Sequence, residues 1–289
     1  MLRPSESIDP GSGAAGETLA FSAEEDSAMD IAFSVPFVHR LRSTEQVSGR
    51  DFETLLNLLQ PGSVGSAKVL LVAERPVAEA SDHVAKLAER LRDHSGVSLV
   101  GDVSLVEGGE AIKNDSDCVG QILAQINRHG LDRRSYVVAI GGGAMLDAVG
   151  YASAIAHRGV RLVRLPTTTL AQGDSGVGVK NAINQFGKKN WIGTFSVPWA
   201  VINDASLLES LSDRDFVSGF SESVKVSLLK SAEEFDWLCD HADQIRRRVT
   251  TIATRAIATS CRLHLRHIPV GGDPVELLEA RPVYFGHWS

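Results

Sequence analysis

The run SYVVAIGGGAMLD, residues 135–147, constrains the fold more than any other part of the chain. Val137 to Ile140 are apolar without alternation, which is the pattern of a strand covered on both faces and so of a parallel sheet. Gly141, Gly142 and Gly143 then let the backbone turn tightly into a helix that carries Asp147.

Parallel neighbours need helical crossovers, and the flanking sequence supplies them. KVLLV (68–72) and VSLV (97–100) read as strands, with SDHVAKLAERLRDH (81–94) as an amphipathic helix between them. SDCVGQILAQINRHG reads as a helix with Ser116 as its N-cap and Gly130 as its stop. After WAVIND (199–204) the strand signals end, and helical apolar spacing continues almost to residue 268. The pattern predicts an α/β fold: a mostly parallel sheet with helices on both faces over residues 31–204, followed by an all-helical part over 205–289. Such sheets bind ligands at the carboxyl ends of their strands.

Residues 1–30 hold seven acids against Arg3 and are rich in Ser, Gly and Ala. They bury too little apolar surface to offset the entropy of ordering, which predicts a disordered acidic tail. The tail carries six of the excess negative charges behind the net −7, so the body is near neutral and offers no basic track for nucleic acid. Cys118, Cys239 and Cys261 form no CxxC pair, which points to reduced thiols in a cytoplasmic protein. No apolar run is long enough to span a membrane, and no charged start followed by an apolar run marks a secretory signal.

Four stretches combine chemistry-bearing residues. The glycine turn can bring backbone amides against a pyrophosphate at a helix start. GGEAIKND (108–115) sets Glu110 and Lys113 around a turn, and a carboxylate there can accept hydrogen bonds from ribose hydroxyls. RLPTTTLAQGDSGVGVKNAINQFGKKNWIGTF (164–195) mixes Thr167, Thr168, Asp174, Lys180, Lys189 and Asn190 with glycines and reads as a long functional loop. GFSESVK (219–225) puts Glu222 and Lys225 on one face of a helix. His264 and His267 in HLRH read as a solvated basic helix end, because Arg262 and Arg266 interleave with them. His39, His83, His94, His129, His157 and His241 have no partner at ligand spacing and read as structural or surface residues.

In this order, the GE-x-x-K loop, GGG-x-x-x-D, P-T-T-x-x-A-x-x-D-S-x-x-G-x-K, K-N-x-x-G and G-x-x-E-x-x-K resemble the 3-dehydroquinate synthase family of sugar-phosphate cyclases. The segments DSGVGVKNAIN and FGKKNWIGTF are most similar to a branch found in Ebo-type gene clusters. The resemblance implies a Rossmann-like NAD-binding domain followed by a helical metal-binding domain, with catalysis between them and a homodimer as the assembly. It implies that Glu74, Glu110 and Lys113 hold the adenosine half of NAD, and that Gly142, Gly143 and Asp147 cradle the pyrophosphate. Thr167, Thr168, Lys180, Lys189 and the segment Leu207 to Ser210 complete the cofactor pocket. Arg158, Asp174, Lys180, Asn190 and Lys225 meet the substrate, a phosphorylated or unphosphorylated seven-carbon sugar-type molecule. Glu222 and His287 map onto two ligands of a divalent metal, zinc or cobalt. The implied reaction is a transient oxidation by NAD, loss of phosphate, return of the hydride and an intramolecular aldol closure.

The chain departs from the family at three places. It ends two residues after His287, where family members continue to two further histidines, so the metal domain is expected to be incomplete and the chain cut short. Tyr284 stands where Asn or Asp is usual, and Val179 where the shikimate-pathway enzyme has glycine. The competing expectations are a glycerol dehydrogenase-like polyol oxidoreductase, which shares the GGG-x-x-x-D turn, and a fragment that binds NAD without catalysis.

Overall fold

The apolar runs become strands of one sheet. The structure, a computed structural model, describes residues 35–60 and 65–270; the expected acidic tail, Tyr284 and His287 lie outside the described residues. In chain order the elements are β1 (Leu41–Thr44), α1 (Phe52–Leu56), β2 (Ala67–Glu74), α2 (Arg75–Ala80), α3 (His83–Asp93), β3 (Val97–Leu99) and β4 (Ser104–Val106). A 3-10 turn (Glu110–Asn114), α4 (Ser116–Arg128), β5 (Tyr136–Gly141), α5 (Gly143–Ile155) and β6 (Arg161–Pro166) follow. Then come a π-helical turn (Ala171–Ser175), β7 (Lys180–Gln185), β8 (Lys188–Phe195) and β9 (Ala200–Asp204). The remaining helices are α6 (Asp213–Ser218), α7 (Ser221–Lys230), α8 (Ala232–Arg246) and α9 (Thr250–Val270).

Seven strands form a sheet ordered β1-β9-β6-β5-β2-β3, with β4 also on β2, and every pairing in it is parallel. The alternation of side chains along the strands divides the core. Val69, Leu71, Ala73, Val138 and Ile140 pack with Leu55, Leu87 and Leu91 of α1 and α3. Their neighbours Leu70, Val72, Val137 and Ala139 face the opposite way, onto Ile122 and Ile126 of α4 and Met145 and Val149 of α5. Both faces are buried, which is why these strands show no polar alternation. Leu71 is fully buried, and truncating such a leucine to alanine costs about 2–5 kcal/mol.

A third cluster joins the sheet edge to the helices. Val201 of β9 shares a cluster with Phe216 of α6, Phe220 just before α7, Leu238 of α8, and Ala256, Ile257 and Cys261 of α9. After the short 3-10 turn Ser206–Leu208, the described residues contain helices and no strand. The N-terminal part is thus Rossmann-like and the part that follows it helical.

Two local expectations change. The helix α4 is capped by Asp115, whose carboxylate accepts from the amides of Asp117 and Cys118; Ser116, the expected cap, is already its first residue. The stretch 164–195 is not one long loop. Its first residues complete β6, and β7 and β8 form an antiparallel hairpin with Gln185 opposite Lys188. Phe186 and Gly187 both take positive φ, 54° and 68°, the backbone of a two-residue hairpin turn that matches strand twist.

Candidate functional site

Because the sheet is parallel, β2, β5, β6 and β9 all end on one edge, at Glu74, Gly141, Pro166 and Asp204. Glu74 reaches from β2 to the glycine turn. Its Oε2 accepts the Gly142 amide at 2.6 Å and its Oε1 the Gly109 amide at 3.3 Å. An anion at this helix start is favoured by the aligned peptide dipoles of α5. The Thr167 amide donates to the Gly141 carbonyl at 3.0 Å, tying β6 to the same turn. Thr168 Oγ1 accepts the Ala171 amide at 3.1 Å, where the π turn begins.

Lys113 does not lie on the surface. The 3-10 turn Glu110–Asn114 carries it inward, where it is 6% exposed, with its ammonium 2.5 Å from Asp147 Oδ2 and 2.9 Å from Asn190 Oδ1. Burial pushes the Asp147 carboxyl above its ordinary range, and the Lys113 charge opposes that rise. Glu110 stays outside and faces Lys189 at 3.8 Å. Lys113 and Asp147 thereby meet Asn190, and Glu110 meets Lys189, through the β7–β8 hairpin.

The π turn builds the second half of the site. Turns of this width leave room for one extra residue and recur at functional sites. Here the turn directs Asp174 toward α7 and α9. Glu222 from α7 and His264 from α9 meet it: His264 Nε2 lies 3.5 Å from Glu222 Oε1, and His264 Nδ1 lies 3.6 Å from Asp174 Oδ1. Lys225, one helical turn after Glu222, sits 2.7 Å from Glu222 Oε1. Taking one atom from each, Asp174, Glu222 and His264 place their donor atoms within 4.8 Å of one another. One imidazole and two carboxylates form a donor set suited to zinc, cobalt or manganese.

A buried network holds the π turn in place. Gln172 Nε2 donates to the carbonyls of Pro166 at 3.0 Å and Asp204 at 2.8 Å, while its own carbonyl accepts from Asn203 Nδ2 and Cys261 Sγ, both at 2.8 Å. Arg164, fully buried on β6, donates to the carbonyls of Gly176, Gly178 and Lys180 and to Asn181 Oδ1. The two halves of the site touch at Gly143, where an added Cβ would lie 2.5 Å from Ser175 Oγ.

The solvated-helix-end reading of His264 is corrected. Its side chain is only 11% exposed, because Ile257, Cys261 and His264 follow one another at helical spacing on the face of α9 turned to the core. That spacing was the available signal, hidden by the flanking arginines. Sequence reasoning also missed Arg164, which gives no sign of its burial beyond its place in an otherwise apolar strand. Of the expected site residues, Arg158 is not brought to this edge. It is exposed in the turn between α5 and β6, at the opposite end of β6 from Thr167. Leu207 belongs to the core, 3% exposed, whereas Ser210 and Lys180 are exposed.

A family model described as 3-dehydroquinate synthase N-terminal matches residues 103–218, and one described as 3-dehydroquinate synthase C-terminal matches residues 219–289. The 3-dehydroquinate synthase of Halorhodospira halophila is 39% identical over 193 residues, 66% of this chain and 53% of that protein. The 3-dehydroquinate synthase of Rhodopirellula baltica is 38% identical over 189 residues, 65% of this chain and 50% of that protein. The chain thus spans about half the length of the curated relatives it matches. Among solved structures, 2-epi-5-epi-valiolone synthase from Streptomyces hygroscopicus subsp. jinggangensis, with NAD+ and Zn2+ bound, superposes with a TM-score of 0.75 at 25% identity, covering 90% of this chain and 68% of that one. A 2-deoxy-scyllo-inosose synthase complexed with carbaglucose-6-phosphate, NAD+ and Co2+ shares the fold, with a TM-score of 0.67 at 23% identity over 86% of this chain and 63% of that one.

Proposed function

We propose that this chain, which belongs to the 3-dehydroquinate synthase family, provides the nucleotide-, metal- and substrate-handling face of a sugar-phosphate cyclase, a carbon–oxygen lyase that closes a carbocycle. The carrying observation is the contact of Gly143 with Ser175, whose neighbour Asp174 faces Glu222 and His264. A dinucleotide laid against the start of α5 then ends beside the carboxylate–imidazole cluster. In this reading residues 31–204 bind NAD, and residues 205–289 contribute the metal and substrate side.

When bound, NAD supplies a reversible hydride acceptor and a divalent metal, zinc or cobalt, supplies Lewis acidity at the oxygen being oxidised. The chain's own residues position the reactants. Gly142 and Gly143 offer the amides of a helix start to the pyrophosphate, in exchange for the Glu74 carboxylate that Gly142 now holds. Glu74, Glu110 and Lys113 border the adenosine half, with Asp147 and Asn190 fixing Lys113. Thr167, Thr168, Lys189 and the segment 207–210 close the pocket around the cofactor. Lys180 and Lys225 present ammonium groups to the anionic parts of the substrate, Asn190 orients hydroxyls, and Glu222 is a metal ligand. The substrate is a small seven-carbon sugar-type molecule, and a homodimer is the proposed assembly. Among the described residues no helix is long and apolar enough to cross a membrane, and the three free cysteines support a cytoplasmic setting.

The test is a coupled assay on the purified chain with NAD, zinc and a phosphorylated seven-carbon keto acid. The expected result is release of inorganic phosphate at constant NADH. Steady accumulation of NADH with glycerol or another polyol, and no phosphate release, would overturn the cyclase reading in favour of a polyol dehydrogenase.

A further inference from the structure

We infer that Asn184 is a positioning residue: it holds Asn190 in a bend of the β7–β8 hairpin that turns the Asn190 side chain toward Lys113. The inference rests on the reading that Asn190 orients oxygens of the substrate, and it names the residue that sets the reach of Asn190. Asn184 lies on β7, between the G-x-K and K-N-x-x-G motifs.

The hairpin is irregular at this point. Ile183 pairs with Ile192 and Gln185 with Lys188, so Asn184 alone on β7 faces Lys189, Asn190 and Trp191 on β8. Such a bulge interrupts the ladder and re-aims the side chains it carries. Asn190, the middle residue of the three, takes a φ of 53°, a left-handed conformation that asparagine adopts more readily than most residues. Its amide donates to the Asn184 side chain, Oδ1 at 2.9 Å, and not to a strand carbonyl. Asn190 Oδ1 thereby meets Lys113 Nζ at 2.9 Å, and its neighbour Lys189 faces Glu110.

Donor and acceptor chemistry fixes which way each amide points. A backbone N–H only donates, so Asn184 turns its oxygen to Asn190, and its Nδ2 donates to Asn114 Oδ1 at 3.0 Å. The Lys113 ammonium also only donates, so Asn190 turns its oxygen to Lys113 and presents Nδ2 as a donor for an oxygen of the ligand. Lys113 and Asn114 are adjacent on the 3-10 turn Glu110–Asn114, so one short segment grips the bend through both asparagines. The two bonds of Asn184 are exposed to water. Their effect is therefore on the local conformation of Asn190 more than on global stability.

The experiment compares the full wild-type chain with N184L, which keeps the volume and removes both bonds, and with N184D, which keeps an acceptor for the Asn190 amide. Exchange of that amide, followed by NMR on 15N-labelled protein, is expected to be about 3–10-fold faster in N184L and close to wild type in N184D. The thermal midpoint of both is expected to stay within about 2 °C of wild type, as for other surface substitutions. With NAD and a phosphorylated seven-carbon keto acid, N184L is expected to raise KM about tenfold, the equivalent of one lost hydrogen bond, and N184D to restore it. The affinity for NAD alone is expected to be unchanged, because Asp147 still holds Lys113. If N184L fails to fold, N114A is read in its place, since it frees the Asn184 side chain without altering the hairpin; faster exchange at Asn190 is again expected. Unchanged exchange at Asn190 in folded N184L or N114A overturns the inference. So does faster exchange in N184L with a wild-type KM, or a KM defect that N184D does not restore. A wild-type chain that releases no phosphate sinks the cyclase reading, and the exchange measurements then decide the role of Asn184 by themselves.

Discussion

Lys113 and Asp147 form a nearly buried ion pair, with 2.5 Å between Nζ and Oδ2 and side-chain exposures of 7% and 18%. The pair locks the 3-10 turn at Glu110 to α5, and through Asn190 it reaches the hairpin. Breaking one partner of such a pair leaves the other charge uncompensated, at a cost of about 3–5 kcal/mol. K113M is expected to lose stability on that order in urea denaturation. The double variant K113M/D147N is expected to recover part of it, because neither partner of the pair is then left charged without the other; equal losses in the single and the double variant would refute the coupling.

Arg164 is a second buried charge with a different duty. Burial lowers its pKa to about 10, yet its guanidinium still bonds three carbonyls and Asn181 in the segment between the π turn and β7. R164M strands those carbonyls, each at about 1–3 kcal/mol. The expected outcome is a thermal midpoint at least ~6 °C lower and faster hydrogen exchange from Gly176 to Asn181. Exchange unchanged in that segment would show that Arg164 does not order it.

His39 makes stability depend on pH. Burial holds its imidazole below the ordinary value of 6.5, and Nε2 donates to the Val177 carbonyl at 2.7 Å. A folded-state pKa below the unfolded one means that the unfolded chain takes up the proton more readily. The stability contribution is therefore present above about pH 6.5 and is lost as pH falls through the folded value. H39N, which keeps a donor without the titration, is expected to show a smaller fall in thermal midpoint between about pH 7 and pH 5 than the wild-type chain. Parallel profiles for the two would rule this out.

The thiols divide by exposure. Cys118 and Cys261 are buried, and burial pushes their pKa values to about 11 and about 12, whereas Cys239 is exposed on α8. A disulfide reagent is expected to modify Cys239 alone in the native chain, and the other two only in denaturant. Rapid labelling of Cys261 under native conditions would mean that α9 opens from the π turn.

The parts legible in the sequence are those written in local runs. VVAI and KVLLV announced buried parallel strands because each residue in them packs against a helix on one face or the other. The glycine turn was legible for the same reason, since strand, turn and helix are adjacent in the chain. The hairpin was hidden, because its turn uses Phe186 where Asn or Asp would have signalled it. Asp115 displaced Ser116 as the cap of α4, a difference of one residue between two good capping side chains. Lys113 was recognised as a site residue from its turn, but its burial was not legible, because it follows from the contacts of the 3-10 turn with Asp147 of α5 and Asn190 of the hairpin. His264 was out of reach because its partners, Asp174 and Glu222, are 90 and 42 positions away along the chain.

The π turn at Ala171–Ser175 makes segment length itself a determinant of chemistry. An α-helix advances about 100° per residue, and the wider turn accommodates one residue more than an α-helical turn does. A lineage that lost a single residue here could retain the sheet, the glycine turn and both helices, yet swing Asp174 away from Glu222 and His264. Deletions in this segment are thus expected to part Asp174 from Glu222 and His264 while leaving the glycine turn at the start of α5 in place, in a way that substitution of any one residue would not.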